Sequence, residues 1–234
     1  MEMQGTVILA VGAHPDDLEF FAGGTIAKYI HNGAKVFYLI LTDGSKGSED
    51  HLLKLDELVQ IRRDEQKKAA TILGVSDVFF LSHTDGELEN TLSLRKEIVK
   101  IVRKIKPGIV ITFDPSYLYD ATWGMVNHPD HRAAGQATLD AVFPFARNRR
   151  TFPELYEQGH DVHSVSSLYL INLKDHNYKE KITGVIDKKV TALCAHISQR
   201  DDSEEVLALM KQMCKLNNKS RDYFEFFVKV DIAS

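Results

Sequence analysis

The chain lacks the features that mark several large classes of protein. It has only two cysteines, Cys194 and Cys214, so we expect no disulfide framework and two ordinary thiols in a reducing compartment. No apolar run approaches the roughly 20 residues that a membrane-spanning helix needs. The first residues, Met-Glu-Met-Gln-Gly, have neither the basic region nor the cleavage site of a signal peptide. We therefore expect a cytoplasmic location and no membrane span.

An excess of positive charge is also absent. The sequence has 29 basic and 33 acidic residues and a formal net charge of -4, which argues against a nucleic acid or an anionic membrane as partner. Its 44% of hydrophobic residues can bury a sizeable core as one domain, or at most two. No internal repeat or flexible linker divides the sequence, so a single domain over residues 1–234 is expected.

Apolar runs alternate with helical patterns over the first 170 residues. Five runs, most of them continuously apolar rather than alternating, predict buried parallel strands at 6–13, 36–41, 78–81, 109–113 and 167–171. Helical spacing of apolar residues fills the intervals between them. The sequence therefore predicts an α/β fold with a mostly parallel sheet flanked by helices. A final helix is expected within 203–230, ending in the aromatic segment 223–227.

Polar residues follow the first predicted strand, at the position where open α/β sheets bind ligands. A phosphate-binding turn would offer glycines and free backbone N–H groups there. This turn instead has His14, Asp16, Asp17 and Glu19. Three carboxylates would repel an anion, so the turn is expected to bind a cation.

A second cluster, 127–131, has the sequence Asn-His-Pro-Asp-His and precedes a helix predicted at 132–142. Its two histidines are three residues apart and share a helix face. A catalytic zinc ion takes about three protein ligands and leaves one position open. One of these histidines can complete a site begun by His14 and Asp17, and the other then contacts substrate. Asp130 alone could instead be an N-cap, but two such clusters at strand-to-helix junctions are hard to explain as caps.

Several motifs together resemble the LmbE-like (PIG-L) zinc-dependent deacetylases. The motifs follow the family's order over nearly the whole chain: Ala13-His-Pro-Asp-Asp-Leu-Glu19, Arg62-Arg-Asp-Glu65, Thr84-Asp-Gly-Glu-Leu88, His128-Pro-Asp-His131 and His196-Ile-Ser-Gln199. The resemblance implies a Rossmann-like sheet and a Zn²⁺ cofactor. It also implies hydrolysis of an N-acetyl group on N-acetylglucosamine or a glucosamine conjugate.

The resemblance assigns roles to residues of both clusters. The positions that match the family's zinc ligands are His14, Asp17 and His131. Asp16 matches the general base, and His128 matches the histidine that stabilises the oxyanion, with Asp130 as its partner. This assignment suits amide hydrolysis, because zinc lowers the pKa of water toward about 7 and a carboxylate can transfer the proton to the leaving amine.

Substrate contacts are implied in the same way. Arg62 matches a sugar-contacting arginine, although the alternative is a salt bridge on the surface, and Asp85 matches a polar substrate residue. Some members have a tyrosine where this chain has Val126. A tyrosine would then have to come from elsewhere, and Tyr117 and Tyr119 are the candidates, with packing as the alternative role. Specificity is expected in three loops: 44–51, 115–127 and 147–163.

His196 follows a helix predicted at 185–195. It either ends that helix at the surface, where the helix dipole favours a histidine, or lies over an active-site mouth of its own or a neighbouring subunit. The aromatic segment 223–227 suggests an exposed interface and hence a homo-oligomer.

Two rival functions use the same residues. Two histidines and a carboxylate also form the facial triad of iron(II) oxygenases, but nothing in the sequence suggests a 2-oxoacid pocket. A non-catalytic sugar- or metal-binding module would be expected to lose the base or a ligand, and all of them are present.

Overall fold

The computed structural model describes residues 3–50, 52–121, 124–199, 203–215 and 220–233. The elements in these ranges follow one another as β1 (Val7–Gly12), α1 (Asp17–His31), β2 (Lys35–Thr42), α2 (Leu55–Leu73), β3 (Asp77–His83), α3 (Leu92–Ile105), β4 (Ile109–Phe113), β5 (Tyr119–Asp120), β6 (Met125–Val126), α4 (Pro129–Val142), α5 (Pro153–Glu157), β7 (Ser167–Ile171), β8 (Tyr178–Lys181), α6 (Ile186–Leu193), α7 (Ser203–Met213) and β9 (Phe224–Asp231). None of the helices within these ranges has the length and apolar composition needed to cross a bilayer.

Most of the strands form one mixed sheet in the order β3-β2-β1-β4-β7-β9-β8. The first five of these strands are parallel, and β9 runs antiparallel to both β7 and β8. β5 and β6 form a separate antiparallel pair. The expected α/β fold with a mostly parallel sheet flanked by helices is confirmed.

Helices cover both faces of the sheet, which explains why the central strands are continuously apolar. α1, α2 and α6 contact one another, whereas α3 and α4 contact each other and β1. Since parallel crossovers are right-handed, α1 and α2 lie on one face and α3 on the other. The strand order reverses between β1 and β4, and ligands bind at such a reversal in open α/β sheets.

The prediction for the C-terminal region is wrong in one respect. Its helix, α7, ends at Met213, and the aromatic segment begins strand β9 instead of ending a helix. β9 is hydrogen-bonded to β7 on one side and to β8 on the other, and the side chains in its first half are mostly buried. Phe226 and Phe227 are only 7% and 0% exposed. The segment is therefore part of the core and gives no support to the expected homo-oligomer.

Candidate metal centre and active site

The turn after β1 places the first cluster at the carboxyl edge of the sheet. The backbone N–H of His14 donates a hydrogen bond to Asp17 Oδ2 at 2.7 Å, and α1 begins at Asp17. Between them, Asp16 has a left-handed backbone with φ of 101°. This conformation is strained for a residue with a side chain, so neighbouring groups must hold it.

The second cluster forms the start of α4, three residues earlier than the sequence predicts. His128 is the N-cap residue, and its Nδ1 accepts a hydrogen bond from the backbone N–H of Asp130 at 3.2 Å. Pro129 occupies the first helical position, where a missing N–H costs nothing. The alternative in which Asp130 caps the helix is therefore wrong.

His131 is fixed on several sides. Its ring stacks on Phe113 with centroids 4.0 Å apart, and its Nε2 lies 3.0 Å from Asp17 Oδ1. The close approach of α4 to β4 depends on Gly135, because a Cβ there would lie 2.3 Å from the carbonyl oxygen of Phe113.

The hydrogen bonds of Asn127 determine which nitrogen of His131 is available to a metal. Asn127 Nδ2 donates to the carbonyl oxygen of Tyr117 at 2.7 Å, so its Oδ1 faces His131 Nδ1 at 3.0 Å and accepts from it. A neutral His131 with its proton on Nδ1 has a free lone pair on Nε2. Metal-binding histidines usually have this arrangement.

Two overlapping groups of ligand atoms meet at this edge. One consists of His14, Asp17 and His131, the set that matches the family's zinc ligands, and the other consists of His14, Asp85 and His128. Within each group the ligand atoms lie within 4.8 Å of one another. Imidazole nitrogens and carboxylate oxygens are zinc ligands, so the residues present fit such an ion.

The carboxylate of Asp130 contacts His14 instead of the ring of His128, so the expected pairing with His128 is wrong. Asp130 Oδ2 lies 3.2 Å from His14 Nε2 and accepts the Gly86 N–H at 2.7 Å, while its Oδ1 accepts the Leu88 N–H at 3.2 Å. A carboxylate held in this way fixes the orientation of the ring it touches. Asp130 therefore positions His14.

Negative charge is in excess around His14. Burial opposes protonation of this histidine, but the carboxylates of Asp130, Asp17 and Asp85 outweigh burial and raise its pKa to about 12. Burial likewise disfavours the charged form of Asp17, yet His131 and His14 hold its pKa well below the usual value. A divalent cation would balance this charge.

A cavity of about 330 Å³ opens beside these residues. The side chains and backbone that line it are His14, Asp16, Lys46, Gly47, Arg62, Asp85, Gly86 and His128. Asp85 lies 3.2 Å from His14 Nε2, so it borders both the cavity and the ligand groups. Lys46, whose Nζ donates to Glu87 Oε1 at 2.7 Å, is a lining residue that sequence analysis missed. Nothing in the spacing of the 44–51 loop singles it out.

Arg62 is only 3% exposed, which excludes the alternative of a surface salt bridge. Its Nη2 donates to the carbonyl oxygen of Pro15 at 2.6 Å and its Nη1 to that of Gly44 at 3.0 Å. Four residues further along α2, Gln66 contacts the Asp16 backbone at 3.0 Å. Gln66 is not among the predicted site residues, although its four-residue spacing from Arg62 indicates that the two share a helix face.

The expectation that His196 lies at the surface is wrong. Its side chain is 0% exposed, with Nε2 3.4 Å from Glu19 Oε2, so the alternative position over the mouth of its own cavity is wrong too. Its neighbour Gln199 does reach the cavity wall, because Gln199 Nε2 donates to the carbonyl oxygen of Gly47 at 2.8 Å.

The two candidate tyrosines differ in exposure. Tyr117 is 7% exposed, and its hydroxyl lies 3.5 Å from Asp120 Oδ2. Tyr119 is 58% exposed and pairs across the β5–β6 hairpin with Val126. A catalytic role for either tyrosine stays a prediction.

The 147–163 loop lies at the amino ends of the parallel strands, at the opposite end of the sheet from the cavity. The expectation that this loop determines specificity is therefore wrong. His163 Nε2 donates to the carbonyl oxygen of Pro107, just before β4, at 2.7 Å. An apolar groove of about 460 Å³ between α4, β7 and β9 lies at this end too. Its lining contains no histidine or cysteine.

A family model and several known proteins match this chain. The model described as PIG-L, GlcNAc-PI de-N-acetylase, matches residues 9–142, more than half of the chain. The diacetylchitobiose deacetylase of Thermococcus kodakarensis is 38% identical over 192 residues, covering 82% of this chain and 69% of the relative. A probable N-acetyl-alpha-D-glucosaminyl L-malate deacetylase 2 of Bacillus anthracis is 30% identical over 82% of this chain and 80% of its own length. The chain belongs to the PIG-L (LmbE-like) family.

Solved structures agree with the fold. The N,N'-diacetylchitobiose deacetylase of Pyrococcus horikoshii superposes with a TM-score of 0.85 at 31% identity, covering 97% of this chain and 84% of that one. The 4-carboxy-2-hydroxymuconate hydratase GalB of Pseudomonas putida superposes with a TM-score of 0.78 at 20% identity, covering 98% of both chains. The second likeness concerns the fold alone, because one fold can serve unrelated reactions.

Proposed function

We propose that this protein is a metal-dependent hydrolase that removes the N-acetyl group from an N-acetylglucosamine-type sugar or glucosamine conjugate. The observation that carries the proposal is the convergence of both His-Pro-Asp turns, with ligand atoms of His14, Asp17 and His131 within 4.8 Å of one another. A polar cavity adjoins them. The named deacetylases among the relatives supply the reaction class.

In this proposal His14, Asp17 and His131 hold a zinc ion. When bound, zinc supplies an acidified water and a polarised amide carbonyl. His131 presents Nε2 because its Nδ1 contacts Asn127, and Asp130 orients His14 from behind. The His14–Asp85–His128 group shares His14 with this set and is the alternative location for the ion.

Asp16 is the proposed general base. Its side chain lines the cavity next to His14, and its Oδ1 lies 3.6 Å from Arg62 Nη2. A nearby guanidinium favours the ionised carboxylate, the form that accepts a proton. Asp16 then takes the proton of the attacking water and passes it to the leaving amine nitrogen. General base catalysis of this kind contributes about 10²–10⁴-fold.

His128 is proposed to act as a neutral hydrogen-bond donor. Burial, together with His14 and His131 nearby, lowers its pKa. Its Nδ1 accepts from the Asp130 backbone, so a neutral ring has its proton on Nε2. That N–H can donate to the oxyanion of the tetrahedral intermediate, and one such donor contributes about 2.7–4 kcal/mol in a preorganised site.

The substrate fits the size and polarity of the cavity. A volume of about 330 Å³ is at the lower end of the usual range, roughly 300–1,000 Å³, so one sugar ring rather than a long oligosaccharide is expected inside. Arg62 and Asp85, both on the cavity wall, are the proposed sugar contacts, whereas the fully buried His196 has no proposed contact with the sugar. A single domain over residues 1–234, a cytoplasmic location and a homo-oligomer stay predictions from the sequence alone, and sedimentation velocity tests the last of them.

Release of acetate from defined substrates tests the function. The zinc-loaded protein is incubated under strict anaerobiosis with N-acetylglucosamine, N,N'-diacetylchitobiose and N-acetylglucosaminyl malate. We expect zinc-dependent acetate release from at least one of them. Turnover that requires oxygen would indicate an iron oxygenase instead. Sugar binding without acetate release from any substrate would indicate a non-catalytic module.

A further inference from the structure

One peptide group of the strained turn, Pro15–Asp16, is held at both ends by α2. The carbonyl oxygen of Pro15 accepts a hydrogen bond from Arg62 Nη2 at 2.6 Å, and the N–H of Asp16 donates to Gln66 Oε1 at 3.0 Å. Arg62 and Gln66 are four residues apart on α2 and project from one face of that helix. Both polar groups of the Pro15–Asp16 peptide are thus fixed by the same element.

The side-chain amide of Gln66 has only one favourable orientation. Its Nε2 donates to both carboxylate oxygens of Glu19 at 3.1 Å, and both residues are 0% exposed. A carboxylate only accepts hydrogen bonds, so the amide nitrogen must face Glu19 and the amide oxygen must face the Asp16 N–H. Flipping the amide would bring two acceptors together at Glu19 and two donors together at the Asp16 N–H, and would leave these buried groups unsatisfied.

The backbone of Asp16 determines where its carboxylate points. Asp16 precedes α1 as its N-cap residue with φ of 101° and ψ of -25°, and its side chain makes no capping hydrogen bond. The side chain lines the cavity beside His14 and His128. The left-handed region is unfavourable for a residue with a Cβ, so without support from its neighbours Asp16 would relax to a right-handed conformation. Its carboxylate would then point in another direction.

We propose that Gln66 is a positioning residue that acts on the reaction through Asp16. By accepting the Asp16 N–H it stabilises the left-handed turn and directs the carboxylate into the cavity. Glu19 fixes the amide of Gln66, and Arg62 holds the other end of the same peptide. This inference rests on the proposed function, in which Asp16 is the general base.

The first test replaces Gln66 by methionine, which has a similar length but offers no strong acceptor. We expect Gln66→Met to lower kcat at least about tenfold, since small misplacements of a reacting group are costly. KM and zinc content should stay unchanged, and a crystal structure should show residue 16 rotated away from its φ of 101°. Gln60→Met is the matched control, because Gln60 is exposed on the same helix. Unchanged kcat would overturn the proposal.

A double-mutant cycle separates positioning from general damage. In an Asp16→Asn background, Gln66→Met should cause no further loss of kcat, because a residue that acts only through Asp16 has nothing left to position. Equal losses in both backgrounds would overturn the positioning role. Normal kcat in Asp16→Asn alone would refute the proposed base. An inactive Asp16→Asn with a fully active Gln66→Met would refute only the role of Gln66.

A swapped pair of residues keeps the proposal testable if Gln66→Met does not fold. The double variant Glu19→Gln with Gln66→Glu retains an acceptor for the Asp16 N–H and a donor–acceptor pair between the two side chains. We expect its kcat to lie near that of the unmodified protein. Gln66→Glu alone places two carboxylates against each other and should be impaired. A folded, zinc-loaded swap with low kcat would overturn the proposal.

Discussion

Two buried clusters of charge lie along α1, and they differ in charge balance. Lys189, which is 0% exposed, pairs with Glu225 and donates to the carbonyl oxygen of Phe20 at 2.6 Å. Glu225 also accepts the N–H groups of Gly24 and Thr25. One positive and one negative group are present, and each has hydrogen-bond partners.

The cluster at the start of α1 is not balanced in this way. Three carboxylates, those of Asp17, Asp85 and Asp130, contact the single ring of His14. Removing one member of a buried ion pair that is complete within the chain should destabilise the fold, whereas a cluster with surplus charge should bind a counterion from solution. The predictions below test this difference.

The largest effect is expected from removing a proposed ligand of the unbalanced cluster. His131→Ala should lose bound zinc, and its deacetylase activity should fall to the detection limit, while the protein stays folded. Metal analysis of the purified variant checks this, with His31→Ala as the control because His31 is exposed at the end of α1. Full zinc occupancy in His131→Ala would contradict the ligand assignment.

Asp16→Asn should leave the metal in place and remove most of the activity. The amide has nearly the shape of the carboxylate but cannot accept the proton, so kcat should fall by about 10²–10⁴. Steady-state kinetics at full zinc occupancy measure the effect. Asp64→Asn, an exposed change on α2, should have normal kinetics.

Lys189→Met should show the opposite behaviour to these two variants. It leaves Glu225 buried without its positive partner, which is expected to cost about 3–5 kcal/mol of unfolding free energy. The kcat of the folded fraction should not change. Urea unfolding measures the loss, and adding Glu225→Gln should recover part of it by removing the unpaired charge. A normal urea midpoint together with a lowered kcat would contradict this expectation, because Lys189 would then act on activity and not on stability.

The smallest effect is expected from a third, partly exposed ion pair, that of Lys28 with Glu180. Burial disfavours the charged form of Glu180, but Lys28, Tyr178 and Tyr29 outweigh it and hold its pKa below the usual 4.5. A carboxyl group with a lowered pKa in the folded state adds stability above its unfolded pKa and loses it as the pH falls. Glu180→Gln should therefore cost about 1–3 kcal/mol at pH 7.

That difference should shrink as the pH falls below 4.5 through the folded pKa of Glu180. Unfolding curves from pH 7 down to acid check this behaviour. Glu154→Gln, in an exposed pair with Lys96, should show no comparable change. A Glu180→Gln deficit that is constant with pH would mean that packing, not charge, is the cause.

Much of the fold is readable from the sequence because its strands are short apolar runs between helical patterns. Strands at 109–113 and 167–171 have the predicted bounds. The aromatic residues 223–227 were misassigned, since nothing local shows that β9 pairs with a strand on each side. β8 was missed for a related reason, because its sequence Tyr-Lys-Glu-Lys is polar and, among the described strands, it pairs with β9 alone.

The site was predictable where neighbours in sequence are neighbours in space. The residues of each His-Pro-Asp turn needed only local geometry. Contacts between distant segments were not predictable: Asp130 with His14, Gln66 with Asp16, and His196 with Glu19. Each depends on how α4, α2 or the segment after α6 packs against the turn after β1, and helical spacing indicates which residues share a face but not what that face contacts.

The position of β9 has a consequence for the order of events during synthesis. β8 ends at Lys181, and β9, the strand that it pairs with in the described part of the chain, begins at Phe224. A ribosome therefore makes β8 long before the strand that must lie between it and β7. Until β9 emerges, the edge of β7 stays open, and open strand edges invite pairing with other chains. The nascent chain therefore has an open strand edge during the interval between these two strands, and pairing with other chains is possible there.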